Sequence, residues 1–225
     1  MVRGEEGMDP TNPFICTYFD LDVMGEVMNF THNDKIHAVG YEPITTEGNE
    51  GYLHHMLLFS CLGDESLEGD TSFLGSLDQS GLEHNMVVPA CTSMPRGCNN
   101  LVASYAKGGD PEISPPNVGW PIGEGQRWLV MQMHYFNPTL DKGVYDSSGF
   151  RLYLTKKLRP IDGGTYLFSS NLAHPPLPGG AEDVTMATVH LEPDCTQDWT
   201  GPLTVVEVGH HSHFMGTYQV RTVNV

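Results

Sequence analysis

Eleven histidines are spread through the 225 residues, and three groups of them have spacings that can do chemistry. His54 and His55 are adjacent, His134 stands alone in an apolar run, and His210-His211-Ser212-His213 forms a cluster. Alternate side chains of an extended strand share a face, so His211 and His213 can grip one ion while His210 points away. The same rule lets His54 and His55 reach a single ion only at a strand end, a twist or a bulge, and Gly51 just upstream favours such a distortion. His134 shares its face with Trp128, Val130 and Gln132, opposite Leu129, Met131, Met133 and Tyr135. The methionine-rich face is expected to be core, which turns His134 outward toward a partner or a cleft. Gln132 is a candidate cleft residue on that face, and equally an ordinary polar side chain. Taken singly, each histidine also fits a plain packing role. Together, imidazoles with few carboxylates nearby favour copper or zinc over magnesium or calcium. No G-x-S-x-G elbow, HExxH or P-loop is present to support hydrolytic or nucleotide chemistry.

The five cysteines are Cys16, Cys61, Cys91, Cys98 and Cys195, and none forms a C-x-x-C pair. This argues against a zinc ribbon or a thioredoxin-type redox site. Four of them fall within the first hundred residues, an even set that points to two disulfides and an oxidising compartment; five buried thiols in a reducing one is the other reading. Cys195 is either free or paired with sequence outside this chain.

The elements that must position these groups read as strands. Glycine (25) and proline (16) are plentiful, and apolar runs alternate with turn clusters at short intervals. Strands are expected over 14–24, 35–44, 51–62, 127–136, 150–158, 203–208 and 218–225. A long surface loop is expected over 64–84 and a short helix over 99–106. The expected class is all-β: two β-sandwich, jelly-roll-like domains, 1–141 and 150–225, joined by a linker at 142–149, the second domain incomplete. The chain ends within a strand pattern, which as an expectation marks it as truncated. Carboxylates outnumber basic residues 28 to 11, a formal charge of −17 that repels phosphate backbones. No run of about twenty apolar residues could span a membrane as a helix, and residues 1–10 lack the apolar stretch of a secretory signal.

Several motifs resemble one family. They are Tyr41-Glu42-Pro43-Ile44 with Glu47-Gly48-Asn49-Glu50, His54-His55-Met56-Leu57-Leu58-Phe59-Ser60-Cys61, and Cys98 leading into 103–106. His134-Tyr135-Phe136-Asn137-Pro138, Asp146-Ser147-Ser148-Gly149-Phe150-Arg151-Leu152-Tyr153 and His211-Ser212-His213 complete the set. From Phe14 to Tyr218 the chain is similar to the copper type II, ascorbate-dependent monooxygenases, nearer the dopamine-hydroxylase branch than the peptide-amidating one. Gly209 stands where the amidating branch carries an arginine for its substrate's carboxylate.

The resemblance implies two facing sandwiches with one copper each. It makes His54, His55 and His134 ligands of an electron-supplying copper, and His211 and His213 catalytic ligands of an oxygen-binding one. The family's methionine ligand at the second copper lies well downstream of the H-x-H, and Met215 is too near to be its counterpart. Resemblance also pairs Cys16 with Cys91 and Cys61 with Cys98, leaving Cys195 an orphan. The implied activity is hydroxylation of a C–H bond in a small, phenethylamine-like substrate by O2 with ascorbate as reductant, in the secretory lumen or outside the cell. The competing readings are an inactive copper-binding fragment and an adhesion sandwich with incidental histidines.

Overall fold

The computed structural model describes residues 10–61, 83–89, 91, 97–98, 100–165 and 204–206. Two compact units divide the chain, Met1–Thr165 and Tyr166–Val225. The elements of the first unit run β1 (Phe14–Asp20), α1 (Leu21–Gly25), β2 (Lys35–Ile44), β3 (Leu53–Cys61), β4 (Met86–Pro89) and β5 (Asn100–Ala106). They continue with β6 (Glu112–Ile113), β7 (Val118–Gly123), β8 (Trp128–Tyr135), β9 (Gly149–Thr155) and β10 (Ile161–Asp162). Sheet and turn dominate, as the composition implies, and the architecture is all-β.

One sheet has the antiparallel order β4-β1-β8-β3-β5. The other has the order β10-β7-β2-β6, with β9 on the far edge of β2 and β10 parallel to β7. Strand parity divides β8 cleanly between two cores. Leu129, Met131 and Met133 join Ile36, Ala38, Met56, Leu58 and Ile122 in the cluster between the sheets. Trp128 and Val130 face the other way, into a cluster with Cys16, Tyr18, Phe59, Cys61, Val88, Cys91 and Cys98.

That second cluster corrects one expectation. The face carrying Trp128, Val130, Gln132 and His134 does not look outward: Val130 is 0% and His134 4% exposed. The cause is covalent. Disulfides Cys16–Cys91 and Cys61–Cys98 hold Cys91 and Cys98 against this face, in the pairing the resemblance implies.

Three element expectations change as well. β1 stops at Asp20 because the Asp20 carboxylate accepts from the Asp22 N–H at 2.9 Å and caps α1. Residues 100–106 form a strand and not a helix: β5 pairs with β3, which buries Val102, Ala103 and Tyr105, and tertiary pairing overrides local propensity. The strand expected to open a second domain, β9, instead pairs with β2 from His37↔Thr155 to Ile44↔Gly149. The first unit therefore extends past the expected boundary at 141 to Thr165. The expected loop at 64–84 lies almost wholly outside the described residues, as do the strands at 203–208 (apart from 204–206) and 218–225.

Candidate metal centre

A single rung crosses the middle of the first sheet at one end. Phe14 of β1 is opposite His134 of β8, and His134 is opposite His55 of β3. Residues on one rung share a face, so these three rings lie side by side on the disulfide-bearing side. His54 would point to the opposite face in a regular strand. The β3–β8 register, however, steps from Leu53↔Tyr135 to His55↔His134, leaving His54 as the extra residue of a bulge. A bulge re-aims one side chain, and here it brings His54 round to the other two imidazoles.

The resulting cluster is tight. One ring nitrogen from each of His54, His55 and His134 lies within 4.8 Å of the others. The rings meet edge to face, with centroids 5.1 Å apart for His54–His55 and 4.8 Å for each of the other two pairs. The Nδ1 atoms of His54 and His55 approach to 2.9 Å, so both point into the same small space. His55 and His134 are buried and His54 is half-buried, which leaves a single side open. Phe14 closes another by stacking on His134 with centroids 3.9 Å apart.

Backbone bonds pin the strand ends around the cluster. The Tyr135 N–H donates to the Pro13 carbonyl at 3.0 Å, and the Phe136 N–H to the Tyr52 carbonyl at 2.7 Å. Behind them, the Asp146 carboxylate accepts from the Tyr135 hydroxyl (2.8 Å), the Asn49 amide (2.8 Å) and the Ser148 hydroxyl (2.7 Å). The Asn49 carbonyl in turn accepts from the N–H groups of Tyr52 and Leu53. Asp146 thus ties the end of β8 to the turn that enters β3. Desolvation alone would raise its pKa, but donors from Asn49, Ser148, Tyr135 and Thr46 outweigh it and hold the carboxyl below its usual range. Burial, then the Asp146 hydrogen bond, pushes the Tyr135 phenol well up.

Residues 13–142 match the N-terminal domain of the copper type II ascorbate-dependent monooxygenases. The chain belongs to this family. Among its relatives in the copper monooxygenase family is dopamine beta-hydroxylase of Canis lupus familiaris, 32% identical over 80% of this chain and 28% of the relative. Tyramine beta-hydroxylase of Caenorhabditis briggsae is 37% identical over 60% of this chain and 21% of its own length. DBH-like monooxygenase protein 1 of Gallus gallus is 29% identical over 92% of this chain and 32% of its own. The chain therefore spans about a third or less of these copper monooxygenase relatives.

The donors fit a copper ion. All three are imidazoles with no carboxylate among them, a set suited to copper or zinc and unsuited to magnesium or calcium. Their mutual distances are close enough for small ring rotations to bring all three to one ion. Among the described residues this is the one such cluster of His, Cys, Asp or Glu. His211, His213 and Cys195 lie outside the described residues.

Gln132 corrects a second expectation. It is buried, and its amide nitrogen donates to the Cys91 carbonyl at 2.8 Å, so it fastens the disulfide-linked segment to β8 and does not face a cleft. Phe14 and Asp146 are the contributors that strand parity overlooks. Phe14 could be found only from the β1–β8 register. Asp146 sits in a motif whose polarity gives no sign of its long-range partners.

Proposed function

We propose that this chain carries the electron-storing copper domain of a monooxygenase, with His54, His55 and His134 as its ligands. The convergence of three imidazoles at the β3 bulge carries this reading. Copper bound there would supply a one-electron store, alternating between its cuprous and cupric states. The protein's part is to present three neutral imidazole lone pairs to one ion, as metal ligation by histidine requires. Phe14 keeps water from one face of His134, and the Asp146 network holds the strand ends that set the bulge. In the second unit, His211 and His213 are the proposed catalytic ligands of the oxygen-binding copper.

The complete protein, on this reading, hydroxylates a C–H bond of a small organic substrate with O2 and ascorbate. Relatives named for dopamine and tyramine favour a phenethylamine-like substrate. Two disulfides in the first unit favour a secretory lumen or the cell exterior. The test is copper stoichiometry together with ascorbate-dependent O2 uptake by the full-length gene product. Two coppers with uptake are expected; one copper without uptake would leave a copper-binding protein that does not turn over.

A further inference from the structure

The sequence contains one Asn-X-Ser/Thr triplet whose middle residue is not proline, Asn29-Phe30-Thr31; the similar Asn137-Pro138-Thr139 is blocked by Pro138. We propose that Asn29 is a site of N-linked glycosylation, and that its glycan covers the apolar turn following α1. The proposal rests on the secretory compartment inferred above, because the donor and transferase act only there.

The local structure suits a carbohydrate. Asn29 is exposed and occupies the left-handed region at φ 55°, a conformation asparagine tolerates better than most residues. Its carbonyl accepts from the Lys156 ammonium at 2.7 Å, and among the described residues nothing holds its side-chain amide. The neighbouring residues are apolar and wet: Val27 is 94% exposed, Val23 42% and Met28 37%. Phe30, by contrast, is buried in the core between the sheets and anchors the turn. A sugar on Asn29 would start beside Met28 and Val27, where the apolar face of a pyranose ring can lie over them.

The timing follows from Thr31. In the folded protein the Thr31 hydroxyl and N–H both donate to the Asp34 carboxylate, at 3.0 and 2.8 Å. A transferase that needs an open triplet must therefore act before this turn closes, on the emerging chain. The step forms a bond between Asn29 Nδ2 and the anomeric carbon of an oligosaccharide carried on a lipid pyrophosphate. It breaks that carbon's bond to the phosphate oxygen; the amide loses one proton, lipid pyrophosphate leaves, and no electrons are exchanged.

The test uses the full-length gene product expressed in a eukaryotic host, with peptide mapping of residue 29 before and after an N-glycosidase and thiol blocking on the same sample. The peptide should carry a glycan, and glycosidase treatment should convert Asn29 to aspartate. Asn29→Gln and Thr31→Ala should each abolish the modification, and Thr31→Ser should retain it. Because transfer precedes folding, a folding defect in a variant does not hide the result. Closed Cys16–Cys91 and Cys61–Cys98 disulfides with an unmodified Asn29 would overturn the glycan and leave the compartment standing. Free thiols with no glycan would overturn both. Removing the glycan should also increase binding of an apolar dye, and Val27→Ser should reverse that increase; an unchanged signal would overturn the covering role.

Discussion

Phe14 and His134 stack in parallel across β1 and β8, their planes within 9° of each other. Phe14 also meets His55 edge-on at 6.2 Å. One phenyl ring thus restrains two of the three clustered imidazoles, and it does so from an edge-side strand that supplies no ligand. Such ring pairs are worth about 0.5–1.5 kcal/mol, and a loss of that size at a preorganised site is about a 2- to 10-fold loss of affinity. Phe14→Ala should therefore weaken copper binding by about that factor in a competition titration, while circular dichroism reports an intact fold. Phe14→Tyr, which keeps the ring, should bind as the parent does.

His134 is the central member of the rung, between Phe14 and His55. Its removal should leave two imidazoles that cannot hold the ion by themselves. His134→Ala is expected to lose the copper of the first unit and to retain any copper held by His211 and His213. Metal analysis of the full-length protein decides this, and equal loss from both sites would contradict two separate centres.

Much of this arrangement was legible in the sequence because strand parity is a local property. Alternation alone places Met131 and Met133 in the core and His134 on the opposite face, and the adjacency of His54 and His55 requires a distortion, which the structure supplies as a bulge. Register and cover are not local. Nothing near Phe14 indicates that it falls opposite His134, and nothing in 150–158 indicates that its partner is β2, more than a hundred residues earlier. The burial of the Trp128 face likewise depends on two cross-links that parity does not see. The 100–106 segment misleads because its alanine, leucine and serine suit a helix until β3 offers an edge.

Asp146 gives a pH signature. Its carboxyl titrates lower in the folded state than in the unfolded chain, so its contribution is present above the unfolded value of about 3.9 and is lost as pH falls through the folded one. Asp146→Asn should destabilise the protein at neutral pH by about 1–2 kcal/mol, the low end for charged hydrogen bonds because the group is half-buried. Chemical denaturation at a series of pH values should show the two proteins converging below about pH 4. A gap that stays constant into acid would mean that the charge plays no part.

The disulfides close loops of 75 and 37 residues. By the chain-entropy relation each restricts the unfolded state by about 4 kcal/mol. Replacing Cys16 and Cys91 together with serine should lower stability by that order and also loosen the Cys91 carbonyl that Gln132 holds. Hydrogen exchange of amides that open only by global unfolding should then quicken in both sheets, with an additional local quickening at β8 where Gln132 and the Cys91 carbonyl are loosened. Equal quickening everywhere would show that the cross-link acts through the unfolded state alone and adds no local restraint at β8.

Gly119 tests whether the second sheet is independent of the metal centre. His37 is fully buried; its Nδ1 accepts from the Arg159 N–H and its Nε2 donates to Asp162 Oδ1, each at 3.0 Å. A Cβ at position 119 would stand 2.2 Å from His37 Nδ1, so the ring fits only because Gly119 has no side chain. Gly119→Ala must move the imidazole, break both bonds and release β10, just beyond which the Gly163 N–H donates to the Gly119 carbonyl at 2.8 Å. Overpacking of this kind costs about 1–3 kcal/mol. Thermal unfolding should register the loss, with faster exchange at Gly163. Copper affinity should stay at the parent value, because no residue of β7 or β10 belongs to the histidine rung; a fall in affinity would mean that the sheets are coupled through the core they share.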